Sequence, residues 1–274
     1  MAVRSTFQFP WPFFGIAFGW TWAFWVPVAL SENGVISIPD GVAWLLADGK
    51  PAAWGPLVAA VSIALAKGGI CDLLGSMTRM KFALRWYLAA LLLIPAIVGG
   101  AQMIAQISGE EVPMAEALLA PATIPIAFVW IFFLGGPLQE EAGWRGTATQ
   151  SLQSQFGALG ASLVTGLFWG VWHLPLFFMP RPEIYYNQPV WGLIGSTMLL
   201  SVLLTWVYNN TGRSLFAAML MHTSWNWSNF IFTALQTDTG GAAFFALLAG
   251  VVMIIVVHFG PRDLTQNPVS GRSN

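Results

Sequence analysis

Residues 139–146 read QEEAGWRG, and Glu140, Glu141 and Arg145 place three charges within six residues. Both flanks are apolar: PIAFVWIFFLGGPL fills 125–138 and GASLVTGLFWGVW fills 160–172. Charged residues make up 8% of the chain and hydrophobic ones 56%, with a mean hydropathy of +0.66. A soluble domain carries about 25% charged residues. So few charges cannot cover the water-facing surface of a 274-residue globule. The chain therefore reads as an all-α polytopic membrane protein, and a carboxylate pair inside it is costly to hold.

Working outward, eight apolar segments fall at roughly 11–30, 52–66, 83–105, 121–150, 157–178, 190–208, 213–233 and 241–260. About eight transmembrane helices enclosing a polar intramembrane cavity are expected. The second segment is short for the ~20 residues a crossing needs. The first is too long and aromatic for a signal peptide and reads as an uncleaved span. A single membrane domain over 1–262 is expected, with a motif core at about 121–233 and a flexible tail at 263–274. With the N-terminus inside, Arg4, Lys67, Arg79, Lys81, Arg85, Arg145, Arg213, Arg262 and Arg272 are cytoplasmic, against only Lys50 and Arg181 outside. That bias obeys the positive-inside rule and places both termini in the cytoplasm. CDLLGSMTRMKFALRW, in the loop from Lys67 to Arg85, reads as an amphipathic helix on the inner interface. The net charge of −1 offers nothing to nucleic acid, and the single Cys71 excludes an internal disulfide.

Polar side chains at membrane depth carry the functional signal. Gly135, Gly136 and Pro137 suit a helix stop, which would leave Glu140 and Glu141 as solvated end charges. Alternatively the helix continues through a Pro kink to about Gln150 and carries Glu140 ~15 Å deep. Arg145 lies at i+4 from Glu141, a spacing that lets the two neutralise each other and leaves Glu140 free. His222 and Asn226, also four apart, share a helix face. His173 lies in LFWGVWHLPLFF beside Pro175. Counted from the inner helix ends, Glu140, His173, His222 and Asn226 fall at ~15, 24, 14 and 20 Å. Each alone reads as interhelical glue; at one depth the four read as a site. The site as drawn requires the helix to run past Pro137.

The ordered motifs Glu140-Glu141-Ala-Gly-Trp-Arg145, Trp169-Gly-Val-Trp-His173 and His222-Thr-Ser-Trp-Asn226 resemble those of the CAAX prenyl protease and bacteriocin-processing (CPBP, or ABI) family. The resemblance covers about 135–230, and Trp169 stands where the family usually has Phe. It implies a glutamate-dependent intramembrane endopeptidase acting near the C-terminus of a peptide or lipidated protein, and the short loops suggest a plasma membrane. Glu140 is then the general base, His173 orients water and shuttles a proton, and His222 and Asn226 form the oxyanion hole. Glu141 and Arg145 are supporting. Trp144, Trp169, Trp172 and Trp225 flank these positions and are candidates for lining an apolar substrate groove.

No cofactor is expected. Zinc is the alternative, since His and Glu ligands suit it, but the chain has no HExxH and Asn226 is a better oxyanion donor than ligand. A non-catalytic scaffold or bacteriocin-immunity protein, with the same pocket binding without turnover, is the other alternative. The partners expected are substrate and membrane lipid; the spacing says nothing of oligomeric state.

Overall fold

The computed structural model describes residues 9–39, 41–42, 51–180, 185–186 and 189–266. Arg4, Lys50, Arg181 and Arg272, which enter the orientation argument, lie outside them, as does 267–274 of the expected tail. The protein is an all-α polytopic membrane protein. Its helices are α1 (Trp11–Glu32), α2 (Gly55–Lys67), α3 (Ile70–Met77), α4 (Leu84–Ile107), α5 (Thr123–Leu134), α6 (Pro137–Gly143), α7 (Gln150–Trp172), α8 (Val190–Asn210), α9 (Leu215–Ile231) and α10 (Asp238–Phe259). Among the described residues, 5 segments are long and apolar enough to cross a membrane: α1, α4, the composite Thr123–Phe178, α8 and α10. With 13 and 17 residues, α2 and α9 are shorter.

Three sequence expectations need correction. The span expected over 121–150 is broken: α5 ends at Gly135 and α6 starts afresh at Pro137. The interfacial helix is confined to Ile70–Met77. Beyond it, Arg79 is used in tertiary contacts: its guanidinium donates to Gly212 O, and its carbonyl accepts from Ser214 Oγ. Ser214 also caps α9 by accepting from Ala217 N (3.1 Å), so the loop after α3 braces the start of the helix that carries His222. Finally, the chain stays packed past 263. Asn209 and Asn210 donate to the carbonyls of Asp263 and Leu264 (2.8 and 2.7 Å), and Leu264 is fully buried.

A further break interrupts α7 at Gly157 (φ 66°, ψ 178°). Only glycine adopts this backbone freely, and a Cβ there would also sit 3.1 Å from Arg262 O. The helix restarting at 158 has orphan N–H groups, as any helix start does. Ala158 N and Leu159 N donate to the carbonyls of Arg262 and Pro261 (2.6 and 2.9 Å). The chain after α10 thus closes the break.

Past the break, α7 packs against α8 through Gly166 and Gly170, a small-xxx-small pair of the kind that lets membrane helices approach closely. A Cβ on Gly166 would lie 2.4 Å from Met198 Cα, and one on Gly170 would lie 2.7 Å from Thr197 Oγ1. Thr197 Oγ1 donates to Gly166 O (2.9 Å). Gly166→Val should destabilise the protein by about 1–3 kcal/mol through overpacking. Thermal unfolding in detergent measures it; an unchanged midpoint would contradict the tight α7–α8 contact.

The start of α10 is held from the loop after α4. Glu110 accepts from Asp238 N and Thr239 N (both 3.1 Å), a carboxylate on helix-start N–H groups. Desolvation pushes its pKa up, but hydrogen bonds from Thr239, Thr237 and Asp238 outweigh it, and the group sits below its ordinary value. A lowered folded pKa contributes stability above the unfolded value of about 4.3, lost as pH falls through the folded value. Comparing unfolding midpoints of wild type and Glu110→Gln from neutral to acidic pH should show the wild-type advantage shrinking on acidification. A constant difference would exclude the carboxylate as its source.

Candidate active site

The site is built on the α5–α6 break. Gly136 has φ +112°, a conformation only glycine takes readily, and Pro137 presets the first turn of α6. Gln139 bridges the break: its Oε1 accepts from Gly136 N (3.2 Å) and its Nε2 donates to Phe133 O (2.7 Å). Glu140 therefore lies in the first turn of α6 rather than deep in one long helix. The requirement that the helix pass Pro137 is overturned. The carboxylates are nevertheless buried, Glu140 at 6% exposure and Glu141 at 0%, because α6 starts beneath surrounding helices instead of at the surface.

The two carboxylates have separate partners. Glu141 Oε1 accepts from Arg145 Nη1 (3.2 Å) and from His222 Nδ1 (2.7 Å). The i, i+4 pairing of Glu141 with Arg145 forms as the spacing suggests, and Glu141 additionally orients His222. Glu140 Oε2 accepts from Trp169 Nε1 (2.6 Å) and Trp144 Nε1 (3.3 Å). Its Oε1 occupies the space opened by Gly136, where a Cβ would lie 2.6 Å from Oε1 and 3.7 Å from Asn226 Nδ2. Asn226 Nδ2 donates to Gly135 O (2.9 Å), which ties α9 to the break.

His173 caps the end of α7, buried at 8% exposure. Its Nδ1 lies 2.9 Å from Trp169 O. A carbonyl only accepts, so Nδ1 carries hydrogen and the neutral ring keeps its lone pair on Nε2. Trp172 meets the ring edge-on at 4.7 Å, and Tyr185 stacks on it at 5.7 Å. Arg145 lies 4.8 Å over the Trp169 ring, which makes a T-shaped contact with His222 at 5.1 Å between ring centres.

Glu140, His173 and His222 thus share one buried cluster with Glu141 and Arg145, and half-buried Asn226 adjoins it. The groove-lining expectation for the tryptophans does not match their placement. Trp144, Trp169 and Trp172 are buried at 0%, 3% and 1% exposure, and two of them aim N–H groups at Glu140. Trp225 points elsewhere, stacking on Phe244 of α10 at 5.1 Å. Gln139, Gly136 and Tyr185 also belong to the site. Only the Gly-Gly-Pro run signalled the first two, and nothing marked Tyr185. Among the described residues no three His, Cys, Asp or Glu side chains are grouped to hold a metal ion.

All these motif positions lie in residues 122–228, which match the family model described as type II CAAX prenyl endopeptidase, Rce1-like. Over this segment the chain is similar to the CAAX prenyl protease (CPBP) family. CAAX prenyl protease 2 of Methanococcus maripaludis is 35% identical over 88 residues, 30% of this chain. The aligned stretch covers 32% of that relative's length. The family resemblance read from three motifs is thereby met, over the helices that carry the site.

Proposed function

We propose that this protein is a CPBP-family intramembrane glutamic endopeptidase. It would hydrolyse a peptide bond near the C-terminus of a peptide or lipidated protein presented from the membrane. The observation that carries this reading is the placing of Glu140 Oε1 and Asn226 Nδ2 at the same gap beside Gly136, with both histidines in the same cluster. Glu140 takes a proton from water, and the water oxygen attacks the scissile carbonyl. Asn226 Nδ2 and His222 donate to the oxygen that becomes negative. With Nδ1–H given to the Glu141 carboxylate, His222 would donate from Nε2 as the imidazolium, the form in which both ring nitrogens carry hydrogen. His173, with its lone pair on Nε2, orients the water and relays the proton to the departing amine. No metal is needed for these steps. We place the protein in a plasma membrane on its short loops, and both termini in the cytoplasm on their charge bias.

The test is cleavage of a farnesylated C-terminal peptide and its unprenylated twin by protein in nanodiscs, read by product mass. Release of a C-terminal fragment from either, unaffected by o-phenanthroline, is the expected result. Binding without cleavage of any peptide would point to a scaffold. Loss of activity on chelation, with stoichiometric zinc in the purified protein, would sink the metal-free mechanism.

A further inference from the structure

Trp169 touches the cluster through four different atoms or faces. Its indole N–H donates to Glu140 Oε2 at 2.6 Å, its carbonyl accepts from His173 Nδ1 at 2.9 Å, its ring lies under Arg145 at 4.8 Å, and it makes a T-shaped contact with His222 at 5.1 Å between ring centres. We propose that Trp169 is the positioning residue of the reaction, and that it divides the labour of the Glu140 carboxylate, leaving Oε1 as the oxygen that takes the proton from water. This rests on the role of Glu140 as base.

An indole nitrogen can only donate. With Trp169 and Trp144 both directed at Oε2, that oxygen has to stay an acceptor in the ionised and in the protonated carboxyl alike. A proton can therefore be taken up only on Oε1. Oε1 is the oxygen in the gap beside Gly136 and Asn226. During attack the water O–H bond breaks and the Oε1–H bond forms. The water oxygen bonds to the scissile carbon, whose carbonyl electron pair moves onto oxygen beside Asn226. The same proton later leaves Oε1 for the departing amine through His173. Throughout, the Trp169 hydrogen bond fixes the carboxylate plane, and the Trp169 carbonyl fixes the tautomer of His173. One residue thus sets the orientation of both proton-handling groups. An apolar packing role alone would account for the ring contacts, but not for two N–H groups converging on one carboxylate oxygen.

Trp169→Phe keeps the aromatic ring and the backbone carbonyl and removes only the N–H. Losing a hydrogen bond to a charged group should lower kcat by about 10–100-fold, with KM changed less than about twofold. Trp144→Phe, at the longer 3.3 Å contact, should cost less. An unchanged kcat in Trp169→Phe, or a loss confined to KM, would overturn the proposal. A second readout is independent of turnover: indole 15N–1H spectra of the protein in nanodiscs. The peak that disappears in Trp169→Phe, and to a smaller degree the one that disappears in Trp144→Phe, should move in Glu140→Gln while other indole peaks stay. If the Trp169 peak does not move, the hydrogen bond is absent and the proposal fails. If the peaks move but wild type cleaves no peptide, the endopeptidase reading fails and takes the kinetic half of this proposal with it.

Discussion

Glu140→Gln is expected to lower kcat by about 100- to 10,000-fold, the range general-base catalysis contributes, while leaving KM and the unfolding midpoint near wild type. The amide is close to isosteric with the carboxylate. Its oxygen can still accept from Trp169 and Trp144, so the packing around Oε2 survives. What is lost is the capacity to take a proton at the gap beside Gly136. Steady-state cleavage kinetics beside thermal unfolding separate the two effects. Turnover within about tenfold of wild type would be too high for a missing base, and the role assigned to Glu140 would have to pass to another group.

The second large effect is on stability. Arg145→Met should destabilise the fold by about 3–5 kcal/mol, the usual cost of stranding one partner of a buried ion pair. Both Arg145 and Glu141 are fully enclosed at 0% side-chain exposure, so water cannot take the place of the missing guanidinium. Adding Glu141→Gln to Arg145→Met should recover part of the loss, because the Glu141 charge stranded without its guanidinium is then removed and the amide oxygen can still accept from His222. Denaturant titration of the four variants forms the double-mutant cycle. If the double variant is as unstable as the sum of the single ones, the two side chains are not energetically coupled, and the pairing is incidental.

The spacing of residues carried much of the site, through rules that act within one helix. Glu141 and Arg145 at i and i+4 pair as the helical repeat demands. His222 and Asn226 share a face of α9 for the same reason. The depth count brought Glu140, His173, His222 and Asn226 into one layer, though by way of a continuous helix that does not exist. Gly135, Gly136 and Pro137 favour a stop, and they do stop α5. A stop rules out a buried Glu140 only where a helix end coincides with the membrane surface. Here Gln139 satisfies the backbone on both sides of the break, so a helix can begin among other helices without exposing its first turn.

What stayed hidden depended on contacts far apart in the chain. The Trp169 indole reaches Glu140 across 29 positions, and no local pattern tells a donor tryptophan from a packing one. The break at Gly157 needs the returning carbonyls of Pro261 and Arg262 to be tolerable; in the one-dimensional pattern it is a lone glycine after a polar run. The expected groove tryptophans failed for a related reason. A large apolar ring beside a polar residue is compatible with lining a cleft or with sealing it, and only the packing of α1, α6 and α7 decides.

Between α6 and α7 the residues Trp144–Thr149 form a wide π-type turn. Such a turn accommodates one residue more than an α-helical turn, so the chain leaves it about 100° out of phase with an uninterrupted α-helix. The elements on either side therefore behave like two cogs on one shaft, set at a fixed angular offset. Losing one residue here would shorten the shaft by only about 1.5 Å but would turn the outgoing cog by about 100°, carrying Thr149 away from Thr165, to which it donates at 3.0 Å. Losing a whole turn would leave the angle nearly untouched. Length changes in this stretch are thus graded by rotation and not by distance, and the number of residues separating Glu140 from Trp169 is constrained as an angle.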